Sequence, residues 1–237
     1  MWRPTRVGPA KTTPGGGGGV TTRSRRWWWT AIAATAVLLA GGGSEEEGGG
    51  AWAAVLTMGQ VRQVVPGAAS MDGWKEAGKP NAAEMDDLQR QWACLMKGRV
   101  GCEGSRYFSA SAFEQEGTAA RVDCLVIAYD DEQLADAAYD VLGDGHYRKR
   151  GGRGRKQFDL GPLGDERDAR WGGSKYDSVA PGAVTQTRAG TTLLWVFASG
   201  NHQRDIDRGG VRDFTELLAE RSRQAQNGDT PTAALGD

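Results

Sequence analysis

The stretch 183–199, AVTQTRAGTTLLWVFAS, carries the clearest structural signal of this chain. It contains two strand-like runs, 183–188 and 191–199, which are rich in the β-branched and aromatic residues that strands favour. Ala189-Gly190 leaves only enough chain between the runs for a tight turn. The stretch therefore predicts a pair of antiparallel strands.

A second pair of strand-like runs has the same form. Residues 107–113 and 121–129 are separated by the short loop 114–119, which looks like a hairpin connection. Neither pair leaves room for the crossover helix that parallel strands require. With further strands expected at 157–160 and 167–171, the sequence predicts an α+β fold with a largely antiparallel sheet packed against helices.

Helices are predicted where a capping residue precedes apolar residues at three- and four-residue spacing. Together with the strands they form one unit of roughly 170 residues, which is the size of a single domain with its own core. The first predicted helix follows the cap Thr57 and ends at Val65, and the second spans 82–97 with one apolar face, Met85, Leu88, Trp92 and Leu95. The third begins at Asp130 or Asp131 and ends at Leu142, with Leu134, Ala137, Ala138 and Val141 facing the core. The fourth spans 211–224, with Phe214, Leu217, Leu218 and Arg221 on one face.

The segment before the domain has the layout of an export signal. Arg25 and Arg26 precede fourteen uncharged residues, 27–40, and glycines follow. The apolar run is shorter than the about 20 residues that span a membrane comfortably. Cleavage after Gly42 and retention as a short anchor both remain open, as do the ordinary secretory and twin-arginine routes.

The sequence predicts four regions and an extracytoplasmic location. They are a signal or anchor at 1–42, a Gly/Glu-rich linker at 43–55, the α+β domain at 56–226 and a flexible C-terminal tail at 227–237. We expect an exported protein that is extracellular or associated with the cell envelope. If the signal is retained, residues 27–40 would attach the chain to the membrane.

The charge distribution argues against a nucleic-acid partner. Six basic residues and no acidic residue precede Ser44, so the remainder holds 23 basic against 30 acidic residues, a net charge of −7. Binding of phosphates requires a cationic face. We therefore expect no nucleic-acid partner.

The three cysteines predict one disulfide and no metal site. In an oxidising compartment, Cys94 and Cys102 are the favoured pair, and pairings with Cys124 are the alternative. Cys124 lies in the middle of a strand, where it is expected to be a small buried residue. His146 and His202 are far apart and offer no metal-ligand spacing with the cysteines. We expect neither a metal nor another cofactor.

Two groups of side chains are candidate binding residues, and each also has a purely structural explanation. A basic cluster could contact an anionic polymer or lipid head group, or it could be a solvated glycine-rich loop. Four aromatic residues could line a ligand cleft, or they could fill the core. The basic cluster is Arg148, Lys149, Arg150, Arg153, Arg155 and Lys156, and the aromatic residues are Trp171, Tyr176, Trp195 and Phe197.

Several short motifs together resemble a known family. They are L-T-x-x-Q at 56–60, Gly73-Trp74, C-x7-C-E-G at 94–104, AYDDEQLADAAY at 128–139, LGDE at 163–166 and RAGTTLLWV at 188–196. The pattern resembles actinobacterial exported lipoproteins of unassigned role, and it is more distantly similar to the extracellular sensor domains of receptor-type serine/threonine kinases. The resemblance implies an extracytoplasmic α+β sensor-like domain without catalytic residues. Gly42 stands where such lipoproteins have the lipidated cysteine, so we expect no lipid anchor.

The sequence favours a binding function over catalysis. We find no acid, base and nucleophile that would meet around one pocket, so we expect no catalytic residue and no enzyme. The first hypothesis is a non-enzymatic, sensor-like or ligand-binding domain of the cell envelope, whose partner is an unknown small molecule or envelope component. The alternative is an envelope interaction or scaffold protein that docks on an anionic polymer through the basic loop 148–156. A small hydrolase is a third hypothesis.

Overall fold

The computed structural model shows an α+β unit built on one antiparallel sheet. It describes residues 53–86, 90, 101–143, 156–173, 181–202 and 205–236. All of these residues belong to one compact unit, Gly49–Asp237. Within this part of the chain, seven strands and three α-helices confirm the predicted fold class. The predicted signal at 1–42 and most of the linker lie outside the described residues.

The two predicted hairpins meet at the centre of the sheet. The strands follow the order β1-β2-β3-β7-β6-β5-β4, and every neighbouring pair is antiparallel. The hairpins β2–β3 and β6–β7 are therefore joined by the pairing of β3 with β7. The strands are β1 (Trp74–Glu84), β2 (Ser105–Gln115), β3 (Arg121–Tyr129), β4 (Lys156–Gln157), β5 (Glu166–Gly173), β6 (Pro181–Ala189) and β7 (Thr192–Ser199).

Strand β1 was not predicted, and it corrects the start of the predicted helix 82–97. Residues 82–84 are the end of this strand and pair with Tyr107 to Ser109 of β2. A helical hydrogen bond of 2.9 Å from the Arg90 amide to the Asp86 carbonyl follows the strand. The other residues of that prediction, 87–89 and 91–97, lie outside the described residues. Because β1 is an edge strand, it tolerates Pro80, which cannot donate a hydrogen bond to a neighbour.

The first two helices begin at capping residues that the sequence indicates, whereas the third begins at Arg208, three residues before its predicted start at 211, because Asp207 caps it. Thr57 and Gln60 form a capping box, while Asp131 and Asp207 accept amide hydrogen bonds at the starts of the second and third helices. The buried face of the second helix is centred on Ala135, Ala138 and Leu142, whereas the predicted Ala137 is exposed. The helices are α1 (Met58–Val64), α2 (Glu132–Leu142) and α3 (Arg208–Gln226), and a short 3-10 turn spans Ala68–Ser70. None of them is long and apolar enough to cross a membrane.

The sheet carries a separate apolar core on each face. On the face covered by α1 and α3, called here the α3 face, Val122, Val126 and Val196 pack against Phe214 and Leu218. On the other face, called the α2 face, the side chains of alternate residues of the same strands pack beneath α2. They include Ile127, Leu193, Trp195 and Phe197. The period-two alternation of strand residues therefore builds both cores from β3, β6 and β7.

Residues 227–236 pack on the domain, which corrects the predicted flexible tail. The Leu235 amide donates a 2.9 Å hydrogen bond to the Ser70 carbonyl, and the Leu235 side chain packs against the core of the α3 face. The Gln224 side chain accepts from the Thr232 amide at 2.8 Å. The guanidinium of Arg221 donates to the Ala233 carbonyl at 2.7 Å. This C-terminal segment is thus held by α3.

Candidate functional site

A cavity of about 220 Å³ opens at the N-terminal end of α3, on the α3 face of the sheet. We call it the α3 cavity. Its residues come from two neighbouring hairpins, the start of a helix and the C-terminal segment, so they converge only in the folded chain. The lining residues are Trp74, Gln115, Val122, Ala198, Asp205, Ile206, Asp207, Gly210, Val211, Asp213, Phe214, Leu235 and Gly236.

The first turns of α3 form one wall of the cavity. Asp207 is the N-cap, and its Oδ1 atom accepts a 2.9 Å hydrogen bond from the Gly210 amide. Residues 207, 210, 211 and 214 have the three- and four-residue spacing that places side chains on one helical face. Gly210 carries no side chain at this wall, which leaves space beside the Asp207 carboxylate.

The floor and the opposite wall are apolar. Val122 and Ala198 belong to β3 and β7 and are fully buried at the base. The rings of Trp74 and Phe214 meet edge to face, with centroids 5.0 Å apart and an interplanar angle of 87°. Leu235, from the C-terminal segment, completes the wall. An apolar part of a ligand would therefore contact side chains from four elements.

Three aspartates give the rim a negative charge. Asp205 is fixed in place because its Oδ2 atom accepts hydrogen bonds from the amides of Asn201 at 2.8 Å and His202 at 2.7 Å. Asp207 is fixed by its role as the cap of α3. Asp213 is exposed on the second turn of the helix and makes no ion pair with another described residue. Among the residues that the structure describes, no side-chain cation pairs with these carboxylates.

The nearest cation of α3 is directed to a neighbouring aromatic pair. The guanidinium carbon of Arg208 lies 6.0 Å from the centroid of the Phe158 ring and 5.8 Å from that of Trp171. The two rings are edge to face with centroids 6.3 Å apart. These contacts are within the range of cation–π attraction. Arg208 is therefore engaged outside the α3 cavity.

A larger hollow of about 580 Å³ lies beside β4 and β5, and three of its four acids have an arginine partner. Arg188 donates to Asp165 at 3.1 Å and to Glu166 at 2.5 Å. Arg170 donates to Asp168 at 3.2 Å. Burial lowers the pKa of Arg188, but the adjacent carboxylates raise it above its usual value. The fourth acid, Asp159, accepts a 2.9 Å hydrogen bond from the Gly161 amide.

The four aromatic residues predicted to line a cleft do not form one site. Trp171 pairs with Ala183 and packs on the α3 face. Trp195 and Phe197 are buried on the opposite face, in the core beneath α2. Tyr176 lies outside the described residues. Trp195 is only 2% exposed, and its Nε1 atom has no hydrogen-bond partner in the structure.

The structure describes only part of the predicted basic cluster and of the predicted disulfide. Lys156 is exposed in the short strand β4. The remaining members of the cluster, Arg148, Lys149, Arg150, Arg153 and Arg155, lie outside the described residues, and so does Cys94. The pairing of Cys94 with Cys102 therefore stays a prediction. Cys124 is a buried thiol in β3, as its place in the strand predicted.

The chemistry of the α3 cavity is that of carboxylates next to apolar side chains. The described residues that line it include three aspartates and no serine, threonine, cysteine, lysine or histidine. Among the described residues, no cluster of three or more potential metal ligands occurs. What the cavity offers is an apolar interior and acidic groups at its mouth.

Sequence signals for the α3 cavity were present but were not combined. The segment Asp207-Arg208-Gly209-Gly210 couples a capping residue to two glycines that leave the helix start open. Trp74 directly follows Gly73 at the start of an unpredicted strand. Trp74 and Phe214, whose rings meet in the cavity, are 140 positions apart along the chain. Their convergence depends on the order of the strands in the sheet.

The chain has distant structural neighbours among solved structures. No family model matches the chain, and no curated protein matches it either. The extracellular domain of PknH from Mycobacterium tuberculosis is 11% identical, with a TM-score of 0.48, and the match covers 75% of this chain and 100% of that one. A putative uncharacterized protein from Mycobacterium smegmatis, an Rv0999 ortholog, is 13% identical, with a TM-score of 0.39 and coverages of 71% and 98%.

The first neighbour is itself an extracellular domain, at a low level of structural and sequence similarity. Both TM-scores are below 0.5, so the likeness does not extend to function or to site residues. The resemblance to exported lipoproteins is tested by neither structure and stays a prediction.

Proposed function

We propose that this chain is a non-enzymatic extracytoplasmic ligand-binding domain and that its ligand occupies the α3 cavity. The observation that carries the proposal is the convergence of a buried apolar floor, an aromatic wall and three carboxylates on one concave site. Binding sites for small molecules are typically concave and apolar, with a few polar groups that fix orientation. The expected export signal supports the extracytoplasmic location.

The volume of the cavity limits the size of the ligand. Pockets for drug-sized molecules measure about 300–1,000 Å³. The α3 cavity, at about 220 Å³, is smaller than that range. It therefore suits a small molecule, or a single side chain or head group of a larger partner. Docking of an anionic polymer on the basic loop 148–156 remains a prediction from the sequence, because only Lys156 of that cluster is described.

A glycine-to-leucine substitution at the wall tests the proposal. A side chain at Gly210 would begin 3.4 Å from the Asp207 carboxylate and would occupy the cavity mouth. Leucine favours the helix more than glycine does, so the variant Gly210→Leu should remain folded. We expect fragments that shift the indole resonance of Trp74 in NMR spectra of the labelled full chain to bind Gly210→Leu at least about tenfold more weakly, because the side chain fills their site.

Gly59→Leu is the matched control. Gly59 lies in α1 with open space around it, and it lines a different cavity of about 350 Å³. The control should leave fragment binding unchanged. If Gly59→Leu abolishes binding and Gly210→Leu does not, the ligand site has been assigned to the wrong cavity. If no fragment in a diverse library shifts Trp74, the proposed function is wrong.

A further inference from the structure

We infer that the ligand of the α3 cavity is a small organic cation, an ammonium or guanidinium group carried on an apolar body. This inference rests on the proposed function and specifies the chemistry of the same site. Its basis is the division of the cavity into an apolar floor and wall, and a rim that carries three carboxylates. The apolar body would occupy the interior while the cationic head meets the rim.

The balance of charge at the rim favours a cation over an anion. A helix N-terminus by itself attracts anions, since it is equivalent to roughly +0.5 elementary charge. Asp205, Asp207 and Asp213 supply three formal negative charges around the same helix end. The Asp207 cap also occupies the Gly210 amide, which an anion would otherwise use. The described residues that line the mouth therefore carry a negative formal charge.

No cation of the first turns of α3 compensates this charge. Arg208 is directed to the rings of Phe158 and Trp171. The Arg212 guanidinium donates a 3.0 Å hydrogen bond to the Leu160 carbonyl. Neither arginine lines the cavity. An external cation would thus meet carboxylates that have no charged partner among the described residues.

The aromatic wall adds a second attraction for a cation. Trp74 is half-buried, and its ring forms part of the cavity lining. Tryptophan is the aromatic residue whose face attracts cations most strongly. Phe214 holds this ring by its edge-to-face contact and by its own burial. A cation between Trp74 and the rim would contact the aromatic wall and the carboxylates together.

Three probes that share one apolar chain and differ only in head charge test the inference. They are hexylammonium, hexan-1-ol and hexanoate, titrated into the full chain and followed by the Trp74 indole resonance. Exposed ion pairs each contribute modestly, so we expect hexylammonium to bind about fivefold or more tightly than hexan-1-ol. Hexanoate should bind most weakly. The preference should shrink as salt is raised, because exposed charges are screened.

Neutralising one carboxylate of the rim tests the contribution of its charge without changing the shape of the cavity. Asp213→Asn removes the rim charge that has no structural partner and keeps the size of the side chain. We expect it to weaken hexylammonium binding about threefold and to leave hexan-1-ol unchanged. Glu216→Gln is the control, because Glu216 is exposed on the same helix and does not line the cavity. It should affect neither probe.

The outcomes distinguish this inference from the proposed function. If hexan-1-ol or hexanoate binds as tightly as hexylammonium, or if Asp213→Asn has no effect, the cavity binds ligands but the assignment to cations is overturned. If none of the probes shifts Trp74, and a diverse fragment library does not either, both the inference and the proposed function fail.

Discussion

Tyr129 couples the stability of the domain to alkaline pH. This residue ends β3, is fully buried, and donates a 2.8 Å hydrogen bond to the Gly101 carbonyl. Burial raises the pKa of its phenol far above the usual value, and Glu103 raises it further. In the unfolded chain the phenol ionises near pH 10. Its contribution to stability is therefore complete below pH 10 and is lost progressively above it.

We predict that Tyr129→Phe flattens the loss of stability at high pH. Above pH 10, this tyrosine should reduce the free energy of unfolding by up to about 1.4 kcal/mol per pH unit, because only the unfolded chain releases its proton. The variant should lose about 1 kcal/mol at neutral pH, since the Gly101 carbonyl loses its donor. Urea titrations at pH 7 to 11 measure both effects. Equal pH slopes for the variant and the parent chain would contradict the prediction.

At the scale of elements, Arg221 connects α3 to three other segments. This residue is 6% exposed, and no carboxylate of the described part of the chain pairs with its guanidinium. It donates to the carbonyls of Gln63 at 2.7 Å and Val64 at 3.1 Å, at the C-terminal end of α1. It also donates to the Ser70 hydroxyl and the Ala233 carbonyl. The carbonyl end of a helix favours a cation, which offsets part of the cost of burial that lowers the pKa of Arg221.

We predict that Arg221→Met destabilises the domain by about 2–4 kcal/mol. The substitution keeps an apolar stem of similar length but leaves several buried acceptors without a donor. Amide hydrogen exchange in residues 231–236 should rise more than elsewhere, because the Ala233 carbonyl loses its bond to α3. Arg223→Met, at an exposed position of the same helix, is the control and should change stability by less than about 0.5 kcal/mol. A similar loss in both variants would refute this role of Arg221.

The sequence predicted those strands and helices whose turns and caps can be recognised from neighbouring residues. The β6–β7 hairpin was found because Ala189-Gly190 leaves a tight turn, and Gly190 does adopt a positive φ of 54°. The caps Thr57 and Asp131 marked helix starts correctly. Strand β1 was missed because Gly78 and Pro80 disfavour strands in general. Only its place at the edge of the sheet makes Pro80 acceptable, and a sheet edge is not visible in a local pattern.

The site was less predictable than the fold for a related reason. Aromatic residues on strands indicated a cleft, but period-two alternation places Trp171 and Trp195 on opposite faces only once the strand register is known. The tail 227–237 looked flexible because it is short and polar. Arg221 and Gln224, on a preceding helix, supply its hydrogen bonds. Such long-range partners cannot be read from the segment itself.

At the scale of the whole molecule, the two cores should unfold together. They lie on opposite faces but share β3, β6 and β7, so neither can lose its strands without exposing the other. With 5-fluorotryptophan incorporated, the ¹⁹F resonances of Trp74, on the α3 face, and Trp195, on the α2 face, should lose their native intensity at the same urea concentration. Assignment by single Trp→Phe substitutions would identify the two signals. Separated midpoints would show that the two faces unfold as independent units.

The pairing of β3 with β7 also determines when the domain can form during biogenesis. The central strand of the sheet, Thr192–Ser199, lies close to the C-terminal end of the described chain, and α3 follows it. Synthesis proceeds from the N-terminus, so the hairpin of β2 and β3 exists before its neighbour β7 has been made. Until residues 192–199 are available, the edge of β3 has no strand to pair with. The sheet is therefore completed late, and an unpaired strand edge is exposed in the incomplete chain.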